Sequence, residues 1–134
     1  RLKSRDNTDL LMEKIIQIKK MCEDFSVTFI VNDDVDLAIK LEADGVHLGQ
    51  HDMPYGAARR ILGNDKIIGI SCYNDMARAV DAAEKGANYI ALGSFYNSVT
   101  KKRALKCGID VLQQTSKKIK DGSITLRTKK RENV

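Results

Sequence analysis

Lys66-Ile-Ile-Gly-Ile70, the segment Asp75 to Lys85, Gly86, and then Tyr89-Ile-Ala-Leu92 form the stretch whose reading decides the fold. The first piece is short, β-branched and almost wholly apolar, as a strand buried on both faces must be. Asp75 to Lys85 reads as a helix that Gly86 stops, and Tyr89 to Leu92 reads as a second strand. A helical crossover between two such strands predicts parallel pairing, because a hairpin needs only a tight turn.

The same unit recurs upstream. Gly45-Val-His-Leu48 is a strand, and Pro54 sits well in the first turn of a helix that Gly63 closes. Val27-Thr-Phe-Ile-Val31 is the earliest strand, followed by a short helix over residues 34–42 carrying Val35, Ala38, Ile39 and Leu41. Before it, Leu11, Ile15, Ile18 and Cys22 recur at helical spacing behind the capping residues Asp6, Asn7, Thr8 and Asp9. Residues 109 to about 119 form a last helix. Strand centres near residues 29, 47, 69 and 91 lie 18, 22 and 22 residues apart, with a helix in every interval. The fold class is therefore parallel α/β. Element order alone does not separate a barrel from a doubly wound sheet. No strand is followed by GxGxxG or GxxxxGK[ST], which disfavours dinucleotide and P-loop readings.

The chain has 134 residues, enough for one domain but short of the roughly 200 to 250 of an eightfold α/β barrel. It starts at Arg1 and shows neither a leader pattern nor an 18-residue apolar run, so no membrane or secretory role is expected. The formal net charge of +5 is local. Residues 1–116 carry 16 basic and 16 acidic side chains, whereas residues 117–134 carry seven and two, so 7 − 2 = +5 sits at the end. A neutral body with a basic tail is not the footprint of a nucleic-acid-binding domain. Cys22, Cys72 and Cys107 are odd in number and widely spaced, with no CxxC or His at ligand spacing. They predict no disulfide framework or zinc site, and a cytoplasmic setting.

Ligands of parallel α/β folds bind at the carboxyl ends of the strands. Here those ends are polar: Asn32-Asp33-Asp34, Gly49-Gln50-His51-Asp52, Ser71-Cys72-Tyr73-Asn74, and Gly93-Ser94 leading to Ser98-Val99-Thr100-Lys101-Lys102. Asp33 and Asp52 would project from neighbouring strands, and two carboxylates beside Asn32 suit Mg²⁺ with phosphate oxygens. The plainer alternative is that Asp33 and Asp52 merely cap the helices that follow. Arg1, Lys3 and Lys101 would add positive charge at this rim, and Ser71, Ser98 and Thr100 hydroxyl donors, the composition of a site for a di- or polyphosphate ester. Lys101-Lys102-Arg103 alone would be a solvated loop. His51, on a polar loop, is left out of the site, and His47, one position off the Val46/Leu48 face, is expected to serve packing or strand-end hydrogen bonding.

Together these residues resemble the thiamine-phosphate synthase family. The resemblance is carried by Phe29-Ile-Val-Asn32-Asp33-Asp34, Ala43-Asp-Gly-Val-His-Leu-Gly-Gln50-His51-Asp52-Met-Pro54, Ile67-Ile-Gly-Ile-Ser71, Gly86-Ala-Asn-Tyr-Ile-Ala-Leu-Gly93-Ser94-Phe95 and Ser98-Val-Thr100-Lys101-Lys102. These occur in order over roughly residues 1–120. It implies a (β/α)₈ TIM barrel, of which this chain would hold about four parallel strands with alternating helices. It also implies the joining of 4-amino-5-hydroxymethyl-2-methylpyrimidine diphosphate to 4-methyl-5-(2-phosphooxyethyl)thiazole, with release of pyrophosphate.

By the same resemblance, Asp33 and Asp52 hold Mg²⁺ with Asn32 beside them, and Arg1 and Lys3 bind the diphosphate. Ser71 and Lys101 hold the departing pyrophosphate, and Ser98 and Thr100 lie near the thiazole phosphate. No protein nucleophile is required: the aminopyrimidine C–O bond ionises once the leaving group is stabilised, and the thiazole nitrogen captures the cation. His51 stands where the family usually has Glu, and Val99 where it has Pro. Residues 121–134 match nothing expected of the family, so residues 1–120 are expected to form a partial barrel, followed by a disordered or non-native basic tail. The chain is accordingly expected to be incomplete at both ends. Other readings are a catalytically incompetent remnant, or a thiazole-tautomerase relative, against which the Asp33/Asp52 pair argues. Open sheet edges predict instability, aggregation or self-association.

Overall fold

The computed structural model describes residues 8–95, 107–119 and the strand at 125–127. The elements run α1 (Thr8–Asp24), β1 (Ile30–Asn32), α2 (Val35–Lys40), β2 (Gly45–Leu48), α3 (Tyr55–Leu62), β3 (Ile67–Tyr73), α4 (Met76–Glu84), β4 (Tyr89–Leu92), α5 (Ile109–Lys118) and β5 (Thr125–Arg127). The strands form one sheet in the order β1-β2-β3-β4-β5, with every pair parallel. β2 and β4 occupy the residues expected of them. Among the described residues no helix is long and apolar enough to cross a membrane.

Alternation along each strand separates two faces. Val46, Leu48, Ile68, Ile70, Ile90 and Leu92 point one way and are buried beneath the helices. The helices meet them with alanines: Ala38, Ala58, Ala79 and Ala82 are buried, and their small side chains let the helix backbones approach the sheet closely. The other face carries His47, Ser71, Tyr89 and Ala91, all half-buried, and corresponds to the lumen of a barrel.

Two expectations are corrected. The first strand begins at Ile30 rather than Val27, because the preceding residues close α1. Ser26 takes a left-handed φ of 52°, its N–H donates to the Glu23 carbonyl, and the Val27 N–H donates to the Cys22 carbonyl. Those two bonds are a Schellman closure, so Val27 is spent on the helix and lies exposed. The third strand starts at Ile67 and runs on to Tyr73, with an irregularity between Ser71 and Tyr73 where β4 pairs with it. Residues 125–127 form β5, which pairs Thr125 with Tyr89, Leu126 with Ile90 and Arg127 with Ala91. Residues 121–124 and 128–134 lie outside the described residues.

Candidate diphosphate and metal site

All five strands run the same way, so their carboxyl ends share one rim. A cavity there of about 470 Å³ is lined by Asn32, Asp33, His47, Gly49, Gln50, His51, Asp52, Ser71 and Tyr73. Four residues singled out in the sequence, Asn32, Asp33, Asp52 and Ser71, therefore meet in one place. Arg1, Lys3, Ser98, Thr100 and Lys101 lie outside the described residues.

Neither aspartate is a helix cap. The cap of α2 is Asp34, whose Oδ1 accepts the Leu37 N–H at 2.9 Å, and α3 begins at Pro54 with no side-chain cap. Asp52 instead turns back on its own loop, Oδ2 accepting the Gly49 N–H at 2.6 Å. Asp33 has a left-handed φ of 69°, and its N–H donates to the His47 carbonyl at 2.8 Å. Holding a residue other than Gly there costs on the order of 1 kcal/mol, a strain that concentrates at functional sites. Tyr73, across the same cavity, also has a positive φ, 54°.

From the cavity residues Asn32 and His47 a row runs on across the sheet. Pairing aligns Asn32 with His47, His47 with Gly69, and Gly69 with Tyr89. Gly69 leaves a gap, and a Cβ built on it would fall on the Tyr89 ring. Through that gap the Tyr89 ring reaches His47 and stacks on it, with centroids 5.4 Å apart and planes 21° apart. The Tyr89 hydroxyl lies 2.9 Å from His47 Nδ1, and His47 Nε2 lies 2.8 Å from the Ser71 hydroxyl. His47 thus hydrogen-bonds within the lumen face, as its strand position led one to expect. Tyr89 and Tyr73 were not legible as site residues; for Tyr89 the available signal was its register with His47 across a glycine.

In the tautomer that carries its proton on Nε2, His47 accepts from the Tyr89 hydroxyl at Nδ1 and donates to Ser71 Oγ, which leaves the serine hydrogen available to another acceptor. Burial holds the His47 pKa below the ordinary imidazole value, although the Asp33 and Asp52 charges both pull it up. Burial prevails, so the ring is neutral at pH 7. Two-dimensional ¹H–¹⁵N spectra across pH 4–8 are expected to show His47 titrating below about 6.5, and Asp33→Asn is expected to lower it further by removing a negative charge. Because the folded value is depressed, His47 contributes stability above the unfolded pKa and loses it as pH falls through the folded one.

The cysteine thiols are free, and burial pushes that of Cys72 up to about 12. It packs beneath the helices and is no nucleophile at neutral pH.

The model of the family described as thiamine monophosphate synthase matches residues 1–127, which carries the likeness past residue 120 and through β5. The thiamine-phosphate synthase of Nitrosospira multiformis is 45% identical over 114 residues, covering 85% of this chain and 49% of that protein. That of Nitrosomonas eutropha is 40% identical over 111 residues, covering 83% of this chain and 52% of that protein. A thiamine phosphate pyrophosphorylase structure from Pyrococcus furiosus superposes with a TM-score of 0.77 at 30% identity, covering 96% of this chain and 59% of that one. The chain spans about half the length of the relatives it matches.

Proposed function

The chain belongs to the thiamine monophosphate synthase family, and from that premise we propose that it carries the diphosphate-binding part of a transferase joining hydroxymethylpyrimidine diphosphate to thiazole phosphate, with thiamine phosphate and pyrophosphate as products. One observation carries the reading. Asp33, Asp52, Asn32 and Ser71, contributed by three strands, surround a single cavity at the strand ends. Helix capping, which would have explained both aspartates, accounts for neither.

Two carboxylates, an amide oxygen and a hydroxyl form a hard-oxygen donor set, which fits Mg²⁺ with phosphate oxygens completing its shell. Asp33 and Asp52 would hold the ion, with Asn32 beside them; among the described residues no group of three or more His, Cys, Asp or Glu could hold a metal ion, so phosphate oxygens would have to complete the shell. Bound there, Mg²⁺ would neutralise diphosphate charge and stabilise the departing pyrophosphate. Ser71, braced from behind by His47 and Tyr89, donates to a phosphate oxygen. Lys101, Arg1 and Lys3 supply cations for the diphosphate, and Ser98 and Thr100 hydroxyls for the thiazole phosphate. The side chains need only stabilise the leaving group and orient the two rings, since the thiazole nitrogen itself is the nucleophile. A cytoplasmic setting and self-association that covers the sheet edges complete the reading.

The test is formation of thiamine phosphate from both substrates by this chain, followed by chromatography. Turnover that requires Mg²⁺ and both substrates is expected. No turnover at any Mg²⁺ concentration would overturn the transferase reading in favour of an incompetent remnant.

A further inference from the structure

The last ladder pair between β2 and β3 is Leu48 with Ile70; one residue on, at Gly49 and Ser71, regular pairing stops. A side chain from outside the sheet takes over there. Arg78, in the first turn of α4, donates from Nε to the Ser71 carbonyl at 2.8 Å and from Nη2 to the Gly49 carbonyl at 3.1 Å. Its own N–H is held by the cap Asp75, at 2.9 Å from Oδ1. A cation in the first turn of a helix opposes the helix dipole, so propensity does not explain it. Its geometry does: a planar guanidinium offers its donors in a rigid fork that fixes two carbonyls relative to each other, whereas the donors of an ammonium rotate about a single point.

What those carbonyls belong to gives the clamp its meaning. Ser71 carries the hydroxyl braced by His47. Gly49 carries the N–H that fixes the Asp52 carboxylate, and there is little slack, since a Cβ on Gly49 would come within 2.9 Å of Asp52 Oδ2. Two groups of the cavity thus hang from backbone that Arg78 ties together. We propose that Arg78 is a positioning residue which sets the spacing between the Asp52 carboxylate and the Ser71 hydroxyl, and through it the site's affinity for a Mg²⁺-bound diphosphate. This rests on the diphosphate reading above.

The test uses the full chain with inorganic pyrophosphate and Mg²⁺ as probes, titrated calorimetrically, alongside amide hydrogen exchange. In Arg78→Lys, affinity for Mg²⁺-pyrophosphate is expected to fall about tenfold or more, because the rotatable donors of an ammonium do not fix the spacing of the two carbonyls as the rigid fork does. The Gly49 amide is expected to lose exchange protection while the Ile68, Ile70 and Ile90 amides keep theirs. In Arg78→Ala, added guanidinium ion at tens of millimolar is expected to restore part of the affinity, which a merely destabilised fold would not do. Unchanged Gly49 protection in Arg78→Lys would overturn the clamp. Lost protection with wild-type affinity would overturn its service to the site. A wild type that does not bind Mg²⁺-pyrophosphate would instead overturn the diphosphate reading itself.

Discussion

Asp52→Asn is expected to weaken Mg²⁺-dependent pyrophosphate binding by on the order of 100-fold, or about 2.7 kcal/mol, while the chain still folds. The substituted amide keeps an oxygen that can accept the Gly49 N–H, so the loop loses only the difference between a charged and a neutral acceptor, about 1 kcal/mol. Mg²⁺ loses a formal charge from a site that offers two. Asp33→Asn is expected to act in the same way, because Asn also tolerates the left-handed backbone that Asp33 adopts. Asp33→Gly separates the two roles of that residue: strain is relieved, stability stays within about 1 kcal/mol, and binding is still lost. His51→Ala should retain binding. Calorimetric titration and thermal melts on the same samples check all four.

The second large effect is structural. Gly69→Ala is expected to cost about 1–3 kcal/mol, the usual range for overpacking, because its methyl group would occupy the place of the Tyr89 ring. The lumen side of Tyr89 is only half-buried, so the ring can swing away instead of unfolding the sheet. It then loses the stack on His47 and the hydrogen bond to Nδ1, and Ser71 loses its brace. Gly69→Ala should therefore weaken pyrophosphate binding although no atom of Gly69 reaches the ligand. Tyr89→Phe, which keeps the stack and removes the hydroxyl, should reproduce the binding defect with little loss of stability. Equal melting temperatures for Gly69→Ala and wild type would contradict the packing of this row.

Local chemistry governed what could be read in advance. β2 and β4 were legible to the residue because apolar side chains alternate within short runs between helix stops. Asn32, Asp33, Asp52 and Ser71 were legible as a group because parallel strands bring their carboxyl ends together whatever the loops do. The start of β1 was not, since Val27 and Thr28 look like strand residues until Ser26 adopts the left-handed turn that ends α1. β5 was hidden for a related reason: three residues carry little pattern of their own, and the edge of β4 recruits them. Arg78 and Tyr89 act across elements, through carbonyls and register, and no local spacing announces such contacts.

The direct test of the central claim is calorimetric titration of pyrophosphate into the 134-residue chain, with and without Mg²⁺, in the wild type and in the Asp33→Asn, Asp52→Asn double variant. Saturable binding at one site per chain, requiring Mg²⁺ and abolished in the double variant, is the predicted result. Absence of binding in the wild type, or equal binding by the double variant, would contradict it.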